Sequence, residues 1–114
     1  MDLGAAIDAH MQWRVKLRAA ITRRETLDAS TITLDNLCEL GKWLNGEGRS
    51  LYGSKPEFQK LVASHRLFHS AAGKVAAAAN AGKTAEAESL LAGAFQTQSH
   101  DTVAAIQACK KACK

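Results

Sequence analysis

The reading of this chain turns on 58-FQKLVASHRLFHSAAGKVA-76. Phe58, Leu61, Val62, His65, Phe68, His69, Ala72 and Ala76 recur at spacings of three and four, so they share one face of an α-helix. Two histidines lie within that apolar face. A pair at i, i+4 stands on one side of a helix with Cβ atoms about 5–6 Å apart. Such a pair is either two packed side chains or two donors to one metal ion. Just upstream, 54-SKPE-57 is a start signal. Ser54 and Glu57 match a capping box, and Pro56 suits a first turn where its missing N–H is harmless. Asn80 and Gly82 mark the end, with Gly82 suited to a left-handed cap.

Three more helical segments flank this one. Leu3, Ile7, His10, Arg14, Leu17 and Ile21 form a stripe that predicts a helix from about Asp2 to Thr26. His10 and Arg14 occupy positions where apolar residues are expected. The short polar residues of 28-DASTIT-33 interrupt the pattern, and Thr33 is placed to cap a second helix from Leu34 to Leu44. Leu37, Leu40, Gly41 and Leu44 make its apolar face, with Cys38 at the edge. Gly41 in mid-helix costs about 1 kcal/mol relative to Ala, which marks a close backbone approach. The glycine-rich 45-NGEGRSLYG-53 reads as an irregular connection. Thr84 is placed to cap a fourth helix with Leu90, Leu91, Ala94, Gln98, Ala105, Ile106, Cys109 and Cys113 along one side. His100 points away from them, into solvent. No segment reads as a strand. Four helices with short joins predict an all-α fold, an antiparallel bundle in a single domain over residues 1–114.

Composition agrees with one modest core. The chain has 114 residues, 46% hydrophobic and 23% charged, with a single proline. No apolar run approaches the ~18–20 residues of a membrane span. The N-terminus lacks the basic-then-apolar order of a signal peptide, so a cytoplasmic location is expected. The formal net charge of +4 gathers at Arg14, Lys16, Arg18, Arg23 and Arg24, and at Lys110, Lys111 and Lys114. Without interleaved aromatics or a nucleic-acid module, these read as solvated faces. Three cysteines, an odd number, do not suit a disulfide framework; free thiols or metal ligands are expected.

Three of the four histidines, His10, His65 and His69, fall on inward stripes. A charged imidazole is costly in a core, and a neutral one still needs partners for its ring nitrogens. Zinc accepts imidazole nitrogen at about 2.0–2.1 Å and also binds thiolate. His10 and Cys38 are the candidates to complete a tetrahedron with the His65/His69 pair. For Cys38, spacing alone leaves open a role as a small buried hydrophobe. Arg66 stands where the zinc-protease motif requires Glu, so hydrolysis of that type lacks its general base. Cys109 and Cys113 form another i, i+4 pair. A disulfide between them would strain a regular helix, and no function is expected of them.

Taken together, 10-HMQWRVKL-17, 38-CELGKWLNGEG-48 and 65-HRLFH-69 resemble the chemoreceptor zinc-binding (CZB) domain family. Its His-x-x-Trp-Arg, Cys-x-Leu-Gly-x-Trp-Leu and His-x-x-x-His segments occur here in order, with Phe68 before the second histidine of the pair. The resemblance runs from about Ala5 to Ala81. It implies a helical bundle holding one zinc ion through His10, Cys38, His65 and His69, and pairing as a homodimer. It also implies a bacterial, non-enzymatic regulator of chemoreceptors or of diguanylate cyclases in cyclic-di-GMP signalling, responding to zinc or to oxidants such as hypochlorite. Trp13 and Trp43 match the family's tryptophans and read as core-edge anchors. No cyclase motif or long receptor coiled coil accompanies the module. The alternative is a structural or adaptor bundle in which zinc is a permanent staple.

Overall fold

Asp2 starts the first helix by accepting a hydrogen bond from the Ala5 N–H at 3.0 Å, and the computed structural model describes residues 1–113. Helix α1 spans Leu3–Arg23. It stops short of the expected Thr26 because Arg24 turns left-handed (φ 56°) and points its N–H back at the Ala20 and Ile21 carbonyls. Every regular element is helical, and no strand occurs among the described residues.

The second helix expected over Leu34–Leu44 is not present as one piece. Helix α2 (Ala29–Ile32) lies in the stretch expected to interrupt the pattern. Asp28 explains it: its carboxylate accepts from the Thr31 N–H and from the Ser30 and Thr31 hydroxyls, so these polar groups cap a helix instead of competing with one. Thr33 closes α2 rather than opening another helix. Turns follow up to Cys38, and Leu34 and Leu37 are exposed. Helix α3 (Glu39–Asn45) starts only where Cys38 caps it. The glycine-rich stretch expected to be irregular then forms helix α4, Glu47–Tyr52. Trp43 of α3 packs near Tyr52 and Phe58, with ring centroids 6.1 and 5.7 Å away.

Helix α5 (Pro56–Asn80) carries Pro56 in its first turn, but the Ser54–Glu57 capping box does not form, since Lys55 occupies the cap position. Gly82 takes the left-handed conformation after its end (φ 76°). Helix α6 (Thr84–Leu90) has Thr84 as its first residue, not its cap. A π-helical turn, Leu91–Phe95, joins it to helix α7, Gln96–Ala112. Within the turn Phe95 is fully buried while Ala94, expected to face inward, is exposed.

Two apolar clusters reveal the helix directions. Leu3 and Ala6 of α1 join Phe58 and Leu61 of α5, Leu40 and Leu44 of α3, and Ile106 and Cys109 of α7. Leu17 and Ile21 join Val75 and Ala76 of α5, and Ala87, Leu91 and Phe95 of the last arm. So α1 and α5 run the same way, and the α6–α7 arm runs opposite to both. Residues 24–55 return the chain between them. Arg14 of the expected inward stripe is exposed, and Trp13 beside it is half-buried. Two close fits tie the return segment to α5. The Asn80 amide accepts from the Leu27 N–H at 2.7 Å and donates to the Leu27 carbonyl at 2.6 Å. At Gly73 a Cβ would stand 2.7 Å from the Thr33 Cβ.

The basic residues Arg14, Lys16, Arg18, Arg23, Arg24, Lys110 and Lys111 are exposed, and Lys114 lies outside the described residues. No helix among the described residues is long and apolar enough to cross a membrane.

Two glycine replacements should part ways. Gly73→Ala is expected to destabilise by about 1–3 kcal/mol through overpacking against Thr33, despite the better helix propensity of Ala. Gly93→Ala, where nothing lies within 4 Å, should be neutral or stabilising by up to about 1 kcal/mol. Urea titration of both variants measures the contrast.

Candidate metal centre

His10, Cys38, His65 and His69 come together between the two apolar clusters, with one potential ligand atom from each lying within 4.8 Å of all the others. Three separate stretches of chain meet here. His10 sits midway along α1, His65 and His69 stand one turn apart on α5, and Cys38 arrives on the turn before α3. All three imidazoles are buried, at 1–3% exposure, while Cys38 is half-buried. His100, the remaining histidine, is exposed on α7.

The backbone decides which nitrogens face inward. His10 points Nδ1 at the Ala6 carbonyl, 2.7 Å away, one turn back along its own helix. His69 points Nδ1 at the Ile32 carbonyl of α2, at 3.0 Å. A neutral imidazole has one N–H, and in each case the carbonyl takes it. The Nε2 atoms of His10 and His69 therefore face the interior as bare lone pairs. His65 Nε2 lies 3.1 Å from both of them. Each of those contacts is a hydrogen bond only if one nitrogen carries a proton, and His65 has one ring proton to offer at most one neighbour. The Cys38 Sγ completes the group, 3.2 Å from His65 Nε2 and 3.7 Å from His69 Nε2.

A zinc tetrahedron with bonds of about 2.0–2.1 Å to nitrogen and 2.3 Å to sulfur has edges of about 3.3 Å between nitrogens and 3.6 Å from nitrogen to sulfur. Four of the six edges, at 3.1 to 3.7 Å, lie near those values, and the whole set falls within 4.8 Å. Together with inward-facing lone pairs and Nδ1 atoms held by carbonyls, the donor set fits zinc.

Burial opposes protons on these rings and keeps the imidazoles in the neutral form that binds metal. Burial, then the neighbouring His69 and His10, pushes the His65 pKa down to about 3 from 6.5. Burial also lowers the pKa values of His10 and His69, against the opposing pull of the Ala6 and Ile32 carbonyls. Burial raises the pKa of the Cys38 thiol, while the Gly41 amide, 3.3 Å from Sγ, works the other way.

Cys38 depends on Gly41. A Cβ at Gly41 would overlap the Asp35 carbonyl oxygen, so only glycine lets the turn over residues 35–36 lie against α3. The close backbone approach read from the sequence is this one. Two contributors were missed by sequence reading. Thr102 is fully buried on α7, its hydroxyl donating to the Ser64 carbonyl at 3.1 Å beside His65. Asp28 builds α2 and so places the Ile32 carbonyl for His69. The aspartate cap was visible in 28-DASTIT-33; nothing marked Thr102 as inward.

Comparison with protein-family models matches residues 10–76, more than half of the chain, to the chemoreceptor zinc-binding domain family. The match opens at His10 and includes Cys38, His65 and His69. Comparison with curated proteins and with solved structures finds no match.

The metal-free chain should lose stability as the pH falls. The unfolded chain protonates His65 near 6.5 and the folded chain only near 3, so the unfolded state binds more protons between those values. Thermal melts in chelator at pH 7.5 and 5 should show a lower midpoint at pH 5; an unchanged midpoint would refute the buried neutral imidazoles. Gly41→Ala should weaken metal binding at least tenfold by displacing Cys38, read by competition with a chromogenic chelator.

Proposed function

The chain belongs to the chemoreceptor zinc-binding domain family, and we propose that it is a regulatory domain whose conformation follows the occupancy of one zinc site. His10, Cys38, His65 and His69 are the ligands in this reading. The observation that carries it is the convergence of four donor atoms within 4.8 Å, with the His10 and His69 lone pairs facing inward. Zinc supplies the positive charge these lone pairs lack and stabilises the Cys38 thiolate. Four protein donors leave no position for a substrate or an activated water, so the site is non-catalytic.

The parts of the site differ in how firmly they are held. His65 and His69 are fixed on a long helix, and His10 on another. Cys38 stands on turns between two short helices, α2 and α3. When the site empties, Cys38 and the segment before it are the parts freest to move. A ligand shifts such an equilibrium only through different affinity for the two arrangements, and a site that needs Cys38 in place has that difference. Cys38 is also the most exposed of the four. A small oxidant such as hypochlorite converts its sulfur to a sulfenic acid, a poorer ligand, and loosens the same site.

We read residues 1–114 as one domain, a four-helix antiparallel bundle whose second arm is broken into short helices. It acts as a homodimer in a bacterial cytoplasm, attached to or docking on a chemoreceptor or diguanylate cyclase. A second reading, zinc as a permanent staple of an adaptor bundle, draws on the depth of the histidines. Affinity separates the two: exchange at cellular free-zinc levels favours sensing, and retention under strong chelation favours the staple.

Protein purified without added metal is expected to hold close to one zinc per chain, and Cys38→Ala and His65→Ala are expected to fall well below that. Elemental analysis after gel filtration measures both. Unchanged stoichiometry in Cys38→Ala would end the four-ligand reading.

A further inference from the structure

Cys109 and Cys113 lie at the other end of α7 from the π-helical turn, outside the four-residue site. Both are free thiols, yet their sulfurs stand 2.7 Å apart, too close to admit a third group. A regular helix would hold such a pair under strain, but α7 ends at Ala112. Cys113 leaves the helical conformation (φ −95°, ψ 73°) while its N–H still reaches the Cys109 carbonyl. Its side chain thereby turns back along the last turn. Four residues of helix separate Cα atoms by about 6 Å, within the roughly 4.4–6.8 Å that a disulfide spans. The Cα spacing is that of any helix; what answers the objection is the departure of Cys113 from helical backbone, which leaves its sulfur beside that of Cys109.

We infer that Cys109 and Cys113 are a second redox site, closing to an intramolecular disulfide when a peroxide-class oxidant reaches Cys113, independently of Cys38. The two cysteines are not equivalent. Cys109 is fully buried among Leu3, Ala6, Leu40 and Ile106, whereas Cys113 keeps 9% exposure at the helix end. Burial first, and then Cys113, pushes the Cys109 pKa up to about 12, which leaves it a poor first nucleophile. Cys113 therefore reacts first. Its sulfur attacks one peroxide oxygen, the O–O bond breaks, and the products are a Cys113 sulfenic acid and an alcohol or water. The Cys109 sulfur then displaces the sulfenic hydroxyl, the S–S bond forms, and the thiol proton leaves with that hydroxyl as water. Two sulfurs lose two electrons in total, and the peroxide takes both. Cys38 belongs to a separate site, its sulfur engaged by His65, His69 and the Gly41 amide, so its oxidation by the stronger oxidant hypochlorite is a separate event from closure of this bond.

Trypsin reads the bond directly, because Lys110 and Lys111 lie between the two cysteines. The full chain is treated with a few equivalents of hydrogen peroxide, alkylated and digested without reduction. The expected product is peptide 84–110 joined to peptide 112–114, two hydrogens lighter than their sum, with Cys38 alkylated as in the untreated chain. Separate alkylated peptides, over-oxidised Cys113 without linkage, or a Cys113–Cys38 bond would overturn the proposal. In Cys109→Ala the sulfenic acid has no resolving partner. Dimedone labelling at Cys113 should then rise at least tenfold over wild type, and equal labelling would count against the assigned order.

Discussion

Imidazoles whose single N–H is already committed to a backbone carbonyl are the constraint on which this structure rests. The Ala6 and Ile32 carbonyls accept from the Nδ1–H groups of His10 and His69, which leaves their Nε2 lone pairs turned toward His65 in a buried interior. In a low-dielectric core such groups are expensive unless something positive stands among them. Protons serve poorly, because three charged rings would repel. A divalent ion serves well. The same two carbonyls that would make an apolar core unhappy are what orient a metal site.

This constraint explains the division of the core. The apolar clusters lie on either side of the imidazoles, one gathered around Phe68 and Phe95, the other around Leu40, Phe58 and Ile106. Phe68 edges against His10 and His69 with ring centroids 5.1 and 5.4 Å away, closing the polar group off from one side. The return segment has a matching form. Breaking the arm into α2 and α3 lets one short segment supply a ligand candidate and an orienting acceptor.

Much of this was legible in the sequence. The four residues now gathered together were nominated from inward-facing stripes and from motif order, because long periodic helices declare their buried faces. What failed was local. Propensity treats cysteine as an ordinary mid-helix residue, so nothing in 34-LDNLCELGKWL-44 announced that Cys38 would cap a helix and leave Leu34 and Leu37 exposed. Polar 28-DASTIT-33 was read as a breaker, although Asp28 makes it a helix. Thr102 was passed over because a buried hydroxyl bonded to a carbonyl looks like any surface threonine until its partner is known. Gly41, by contrast, was read correctly from its cost alone.

The π-helical turn at Leu91–Phe95 has a reach beyond its five residues. Such a turn holds one residue more than the α-helical span it replaces. The apolar patterns of α6 and α7 are therefore two separate rhythms, offset where they join. Beyond Phe95, a sequence of equal length without the turn is offset by one residue against this arm, and its apolar positions there fall on a different side of the helix. A chain one residue shorter at this place, with an unbroken α-helix, would carry the same α7 surface in the same register.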